Sequence, residues 1–289
     1  MGGWMKSPAL DYVRVDSLSA AFDAFEAGDG DAQFLAGGHS VVPALNLRLQ
    51  APSLLIDISR IPELSGVELC DGWLRICAMT RHAEALTHPL IIHHAPLLCA
   101  AAPFVAHPAI RNRATIGGNL VLADPASEFP AAALAMRAEM EIVGRDGVRR
   151  VPADAFFLGL YETAMRPGEI LRSLFVPPAR EGQRVAFDEL SRRRGDYAIV
   201  GAAIQAVMAD QRLSDISIAF LAVGDRPIRA AKAEAALRGG ALDGATIAAA
   251  QAALEGDLDL EDLPQMPASM RLHLARVLLG RVLGRLGGP

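Results

Sequence analysis

Two glycine pairs carry most of the chemistry legible in this sequence. The first is Ala36-Gly37-Gly38-His39-Ser40, directly after the apolar run Gln33 to Ala36, and the second is Thr115-Ile116-Gly117-Gly118-Asn119. Glycine has no Cβ, so backbone N–H groups at such turns can point inward and approach an anionic oxygen closely. Each pair has small polar donors beside it: His39 and Ser40 at the first, Thr115 and Asn119 at the second. Two such nests from separate strand ends suit the two phosphates of one dinucleotide, with any following helix adding its positive N-terminus. Taken singly, either pair reads first as a tight turn, and the two with their matched donors bring the ligand-site reading level with it. The Gly-x-Gly-x-x-Gly fingerprint and the Gly-Lys-Ser/Thr of a P-loop are both absent, which argues against a nicotinamide Rossmann site.

Asp124 stands four residues before Glu128, with Pro125 between them. Carboxylates at that spacing can accept hydrogen bonds from ribose or ribityl hydroxyls. They can equally serve a helix start, with Asp124 or Ser127 as cap and Glu128 in the first turn. His88, His93 and His94 lack the spacing of a metal site. Arg192-Arg193-Arg194 reads as a solvated or ion-paired face, with phosphate contact as the alternative. In the Gly195-Asp196-Tyr197 turn, Tyr197 either starts a core strand or offers its ring to a flat ligand. The sequence holds no Gly-x-Ser-x-Gly elbow, catalytic cysteine signature or hydrolytic triad, so no catalytic residue is assigned.

The elements that must position these residues follow from periodicity. A strand at Tyr12 to Val15 precedes a helix from Ser17 to a stop at Gly28, and the strand Gln33 to Ala36 runs into the first glycine pair. Strands are expected at Leu54 to Asp57 and Trp73 to Met79, and helices around Arg81 to Leu86 and over Glu128 to Arg137. Arg145-Asp146-Gly147 marks a hairpin between Glu139 to Val143 and Gly147 to Val151. The proline pair Pro177-Pro178 and the charged segment Ala179 to Gln183 set a domain break near residue 178. Beyond it come β-like runs at Tyr197 to Met208 and Ser217 to Val223, then helices over Arg229 to Leu237, Gly244 to Leu254 and Ser269 to Leu286. In the last helix Leu272, Leu279, Val282, Leu283 and Leu286 share one stripe, and Arg281 and Arg285 face away from it. The expected fold class is α+β.

Composition narrows the function classes. In 289 residues, 28 Lys+Arg against 33 Asp+Glu give a net charge of −5, which argues against a nucleic-acid or polybasic membrane binder. With 52% hydrophobic residues the chain can bury a sizeable core. Cys70, Cys77 and Cys99 are odd in number and lack Cys-x-x-Cys spacing, so neither disulfides nor a cysteine-held cluster is expected, and a reducing cytoplasm fits. Met1-Gly2-Gly3-Trp4-Met5-Lys6 meets Asp11 and Arg14 before any apolar run long enough for a signal peptide, so no export is expected. The apolar stretch Leu86 to Ile110 is broken by four histidines and four prolines and does not read as a membrane span.

Taken in order, these residues form a family pattern. Ala36 to Ser40 with Pro43 and Arg48-Leu49, Ile110-Arg111-Asn112 leading to Thr115 to Asn119, Asp124-Pro125, Glu128, Gly168-Glu169-Ile170-Leu171 and Gly195-Asp196-Tyr197-Ala198 span nearly the whole chain. The pattern resembles the medium, FAD-binding subunit of the molybdenum hydroxylases, enzymes of the carbon monoxide dehydrogenase and xanthine dehydrogenase type. The resemblance implies an N-terminal FAD-binding region of two α/β subdomains (PCMH-type) over residues 1–177 with a break near 58. It also implies a C-terminal α+β domain over 178–289, with a small antiparallel sheet and helices. It further implies an oxidoreductase whose partners are a large subunit carrying a molybdenum–pterin cofactor and a small subunit with two [2Fe–2S] clusters, assembled as a dimer of heterotrimers. The medium subunit would take electrons from the clusters onto FAD and pass them to an external acceptor.

Residue by residue, the resemblance puts Ala36, Gly37, Gly38, His39 and Ser40 together with Thr115, Ile116, Gly117, Gly118 and Asn119 at the FAD pyrophosphate. Asp124 and Glu128 would lie at the sugar and ribityl hydroxyls, Tyr197 near the isoalloxazine, and Val105 and Leu171 beside the adenine or the ring edge. Two departures stand out. The Phe187-Asp188-Glu189-Leu190-Ser191 segment lacks the lysine found near the flavin in some xanthine dehydrogenase relatives, which speaks against NAD as acceptor, and Ala114 replaces a common glycine. A self-contained flavin oxidase and a cofactor-free docking scaffold are the rival readings. The first lacks a convincing general base beside Tyr197, and the second has no use for two glycine nests.

Overall fold

The computed structural model describes residues 9–193, 195–264 and 266–286; Met1 to Lys6 and Arg194 lie outside the described residues. The chain opens as β1 (Asp11–Arg14), α1 (Leu18–Ala27), β2 (Ala32–Leu35), α2 (Val41–Asn46) and β3 (Leu54–Asp57). The three strands form a parallel sheet in the order β1-β3-β2. Ser17 caps α1 by accepting the Ala20 N–H at 3.3 Å, and Gly28 ends the helix, as the spacing predicts.

A second unit follows: β4 (Val67–Cys70), β5 (Trp73–Cys77), α3 (Pro89–His94), α4 (Pro96–Ala101), α5 (Pro108–Arg111), α6 (Ile116–Leu122), α7 (Glu128–Ala135), β6 (Glu139–Gly144), β7 (Gly147–Pro152), α8 (Ala153–Phe156), β8 (Phe157–Gly159), β9 (Glu162–Thr163) and β10 (Ile170–Val176). Five of its strands make an antiparallel sheet in the order β4-β5-β10-β6-β7. Three of the four prolines that interrupt the Leu86 to Ile110 stretch, Pro89, Pro96 and Pro108, open α3, α4 and α5, where a missing N–H has no intrahelical partner to lose. Among the described residues no helix is long and apolar enough to cross a membrane.

The last unit is an antiparallel meander of β11 (Gln183–Ser191), β12 (Ala198–Ala209), β13 (Arg212–Leu221) and β14 (Ile228–Arg229), followed by α9 (Ala231–Leu237), α10 (Gly244–Ala253) and α11 (Ala268–Leu286). One face of this sheet, with Ala202, Ile204, Ile218 and Phe220, packs with Leu278, Leu279, Val282 and Leu283 of α11. The opposite face, with Phe187, Ala203, Ala219 and Leu221, joins the core that holds Phe129 and the rest of α7. All eight residues of α7 are therefore buried, since the helix lies in the seam between β12 and β13 of the C-terminal sheet and the helices α4, α6 and α8 of the second unit. The rings of Phe104 and Phe187 meet across this seam with centroids 5.1 Å apart.

Three local expectations change. Arg81 to Leu86 forms only a short 3-10 turn at Glu84–Leu86, because the His82 and Ala83 N–H groups bond outward to the carbonyls of Ala114 and Arg111. β11 had no sequence signal, since Arg184, Asp188, Glu189 and Ser191 break its apolar alternation. Arg281 and Arg285 do lie off the apolar stripe of α11, but they turn to Asp188 of β11 at 3.5 and 2.8 Å.

Candidate functional site

The first glycine pair lies where β2 ends and α2 begins. Gly38 has φ +78°, a left-handed conformation that excludes most side chains. Its carbonyl accepts the Val42 N–H at 3.0 Å, starting the helix. Gly37 is required for another reason: a Cβ there would stand 2.4 Å from the carbonyl oxygen of Arg113, so this loop presses directly onto the turn leading into the second pair. Among the described residues the N–H groups of Gly37, Gly38, His39 and Ser40 meet no backbone acceptor, which leaves a run of donors at the turn. The His39 Nε2 is buried and equally unpartnered. Burial, reinforced by the charges of Arg113 and Arg81, lowers the His39 imidazole from its usual range. A loop with free donors and two nearby guanidinium groups attracts an anion.

The second pair differs from an open nest. Thr115 caps α6 by accepting the Gly118 N–H at 3.1 Å, and the N–H groups of Ile116 and Gly117 bond to the carbonyls of Thr80 and Ala78 at 2.8 and 2.9 Å. What this pair offers is space, not free donors. A Cβ on Gly117 would stand 2.4 Å from that of Ala78, and one on Gly118 would stand 3.8 Å from Ala36 of the first loop. The fold thus brings the two glycine motifs into contact, and the Thr115 hydroxyl keeps its own hydrogen to donate. His82 Nε2 lies 3.0 Å from the Thr115 carbonyl oxygen, and burial drives this imidazole down to about 4, so it is a neutral strut under the loop.

The acids follow on the same side. Asp124 Oδ1 accepts the Ala126 N–H at 2.9 Å, and Ser127 occupies the cap position of α7 with its hydroxyl bonded to the Asn119 side chain at 2.7 Å. The Asn119 amide is therefore held in place by the start of α7. Glu128 is buried in the first turn of α7, and burial, with Asp124 adding repulsion, raises its carboxyl to about 7. Tyr197 is 75% exposed at the start of β12, so it shows its ring to solvent instead of entering the core. Partial desolvation and the nearby Asp124, Tyr161 and Glu128 raise its phenol above its usual range.

Val105 and Leu171 are both buried in the main core. The Val105 carbonyl accepts from the Arg111 guanidinium at 2.8 Å. Leu171 lies in β10 opposite Ile142, and the next carbonyl, that of Arg172, accepts the N–H of Ala78, whose own carbonyl holds Gly117. Sequence reasoning missed Glu189, Arg81, Arg113 and Tyr161. The arginines were hidden among ordinary surface charges. Glu189 was hidden because β11 was not recognised, and its carboxyl, buried and repelled by Glu128 and Asp188, is raised to about 8. Among the described residues no group of three or more His, Cys, Asp and Glu side chains is arranged to hold a metal.

A family model described as the FAD binding domain in molybdopterin dehydrogenase matches residues 8–179, and one described as the CO dehydrogenase flavoprotein C-terminal domain matches 185–286. The chain is 39% identical over 282 residues to the 6-hydroxypseudooxynicotine dehydrogenase complex subunit alpha of Paenarthrobacter nicotinovorans, covering 97% of this chain and 95% of that one. It is 36% identical over 260 residues to the carbon monoxide dehydrogenase medium chain of Hydrogenophaga pseudoflava, covering 90% and 91%. Among solved structures, a chain of quinoline 2-oxidoreductase from Pseudomonas putida superimposes with a TM-score of 0.92 at 35% identity, covering 98% of both chains.

Proposed function

The chain belongs to the FAD-binding medium subunits of the molybdenum hydroxylases, and from that membership we propose that it holds FAD across its two glycine loops and carries electrons between partner subunits and an external acceptor. It is an oxidoreductase subunit of a multi-subunit, molybdenum-containing dehydrogenase, with the molybdenum and iron–sulfur cofactors in other subunits. The observation that carries the site assignment is the contact of the loops: Gly37 abuts the Arg113 carbonyl, and Gly118 faces Ala36.

In this reading the free N–H groups of Gly37 to Ser40 and the Thr115 hydroxyl bind the pyrophosphate, with Arg81 and Arg113 supplying positive field. Ala36, Ile116, Gly117 and Gly118 keep the backbone close, and Asn119 is oriented by Ser127. Asp124 and Glu128 accept from sugar and ribityl hydroxyls, Tyr197 covers the ring system, and Val105 and Leu171 form the apolar floor. When bound, the flavin supplies the redox chemistry, exchanging one or two electrons. The protein's own residues anchor it, orient it and exclude water from its inner edge.

The further assembly we infer is a dimer of heterotrimers, with electrons entering from two [2Fe–2S] clusters in a small subunit. Residues 1–177, divided near 58, form the FAD-binding part and 178–289 the C-terminal part. The three cysteines Cys70, Cys77 and Cys99 are free, which supports the cytoplasm as compartment. Relatives named for 6-hydroxypseudooxynicotine, nicotine and carbon monoxide share this kind of subunit. Substrate choice is therefore assigned to the large subunit.

An absorption spectrum of the purified chain, before and after adding FAD, tests the reading. Flavin bands that stay with the protein through gel filtration are expected, together with co-purification of a molybdenum-containing and an iron–sulfur subunit from the native host. A protein that retains no flavin, alone or in the purified complex, overturns it.

A further inference from the structure

The loop between α4 and α5 holds a carbonyl that two distant elements share. Ala106 has φ +42°, a left-handed conformation that a residue with a Cβ keeps only when its surroundings hold it there. The holder is Arg111, the last residue of α5, whose Nη1 donates to the carbonyl of Val105 at 2.8 Å and to that of Ala106 at 3.0 Å. Its backbone is fixed as well: the N–H bonds to the His107 carbonyl at 3.1 Å, and the carbonyl accepts the Ala83 N–H at 3.1 Å. Among the described residues the Arg111 guanidinium forms no ion pair, and its hydrogen bonds go to these two loop carbonyls alone.

The same Ala106 oxygen meets the turn that leads into β12. Gly195 has φ +86°, and a Cβ there would stand 3.3 Å from that oxygen and 3.3 Å from Nδ1 of His107. The missing side chain lets the turn lie directly against residues 106 and 107. Two residues on, Tyr197 leaves this turn three-quarters exposed, whereas Val105, next to Ala106, is buried in the main core. Through one carbonyl, Arg111 therefore connects a core residue with the turn of an exposed ring.

Resting on the flavin assignment above, we propose that Arg111 is a positioning residue for the ring end of the cofactor site. By holding the Val105 and Ala106 carbonyls it sets the seat of the Gly195 turn, and so the placement of Tyr197 relative to Val105. Among the described residues its guanidinium has no hydrogen bond to either glycine loop, so its effect falls on the isoalloxazine half of FAD and spares the ADP half.

The test compares FAD with ADP, which carries the pyrophosphate and adenosine but no flavin ring, in calorimetric titrations of the purified chain. For Arg111→Gln, FAD affinity is expected to fall about tenfold while ADP affinity stays within about twofold, and the emission of bound flavin to rise as Tyr197 loses its place. Gly195→Ala, which reaches the same carbonyl from the β12 side of the contact, should give the same split. Ala106→Gly added to Arg111→Gln should recover most of the lost FAD affinity, because glycine takes a left-handed φ without being held. A purely structural role would weaken both ligands alike, and equal losses for FAD and ADP overturn the inference.

A second readout needs no cofactor. Trypsin cuts after the exposed Arg192 and Arg193, in the segment that leads to Gly195, and cleavage there should be at least about fivefold faster in Arg111→Gln than in the native chain. Unchanged cleavage overturns the positioning role. Faster cleavage in the variant, together with a native chain that binds neither FAD nor ADP, overturns the flavin assignment instead.

Discussion

The guanidinium of Arg271 in α11 donates a 2.6 Å hydrogen bond to the carbonyl oxygen of Ala222, whose own N–H holds the Pro125 carbonyl at 2.8 Å. A residue of the C-terminal helix thereby anchors the turn that carries Asp124. Ala222 has φ +58°, a conformation that the two hydrogen bonds hold in place. Arg271 is buried beside a cavity of about 660 Å³, and burial lowers it from the usual arginine range.

Replacing Arg271 by Ala leaves the Ala222 and Glu261 carbonyls without that donor and empties buried volume. The expected cost is ~3 kcal/mol of folding stability, with flavin affinity falling in parallel as the Asp124 turn loosens. Urea unfolding and FAD titration of the same variant check both. Unchanged stability would mean that the hydrogen bond to Ala222 has no role in holding the turn.

The glycines separate by what a side chain would meet. Gly118→Val places a Cβ 2.9 Å from the Thr115 hydroxyl, a side-chain atom that can turn aside. A folded chain with at least ~tenfold weaker FAD binding is expected. Gly37→Val and Gly117→Val meet the Arg113 carbonyl and the Ala78 Cβ, each at 2.4 Å, and are expected to lose the fold itself. Circular dichroism beside flavin titration distinguishes the two outcomes.

Asp215 of β13 joins the two parts of the chain, receiving both Arg137 guanidinium nitrogens at 2.8 and 2.9 Å and Arg180 at 2.5 Å. Hydrogen bonds from Arg137 and Arg180 hold its carboxyl well below the usual carboxylate range. A depressed carboxyl contributes stability above its unfolded pKa and loses it as pH falls, so Asp215→Asn should cost ~1 kcal/mol near neutrality, allowing for solvent screening. The difference should vanish in strong acid. Unfolding curves at the two pH values measure it.

Tyr197→Ala removes a ring that is three-quarters exposed and so should change folding stability by no more than ~0.5 kcal/mol. Under the flavin assignment it should also reduce the quenching of bound flavin fluorescence. A loss of several kcal/mol in stability, with flavin emission unchanged, would make Tyr197 a packing residue.

Elements with a clean period were legible in the sequence: α1 between Ser17 and Gly28, the β6–β7 hairpin and the stripe of α11 all stand where spacing puts them. β11 was not, because each of its faces enters a different core and its charged residues find partners only in three dimensions. The glycine loops were legible as motifs. Their unequal roles were not, since the partners of Gly117 and Gly118 are Ala78, far away in sequence, and the Thr115 hydroxyl. Glu189 illustrates the same limit: a carboxyl in a polar run looks solvated until packing shows it buried.

The C-terminal sheet that closes over α7 also determines how the molecule comes apart. Phe187, Ala203, Ala219 and Leu221 share one continuous core with Phe129 and Leu134, so a chain severed at Pro177-Pro178 would leave two apolar faces in water. The two sequence segments are therefore one cooperative unit, and calorimetry should record a single endotherm in place of two. Limited proteolysis at the linker should yield fragments that stay associated until the whole protein melts.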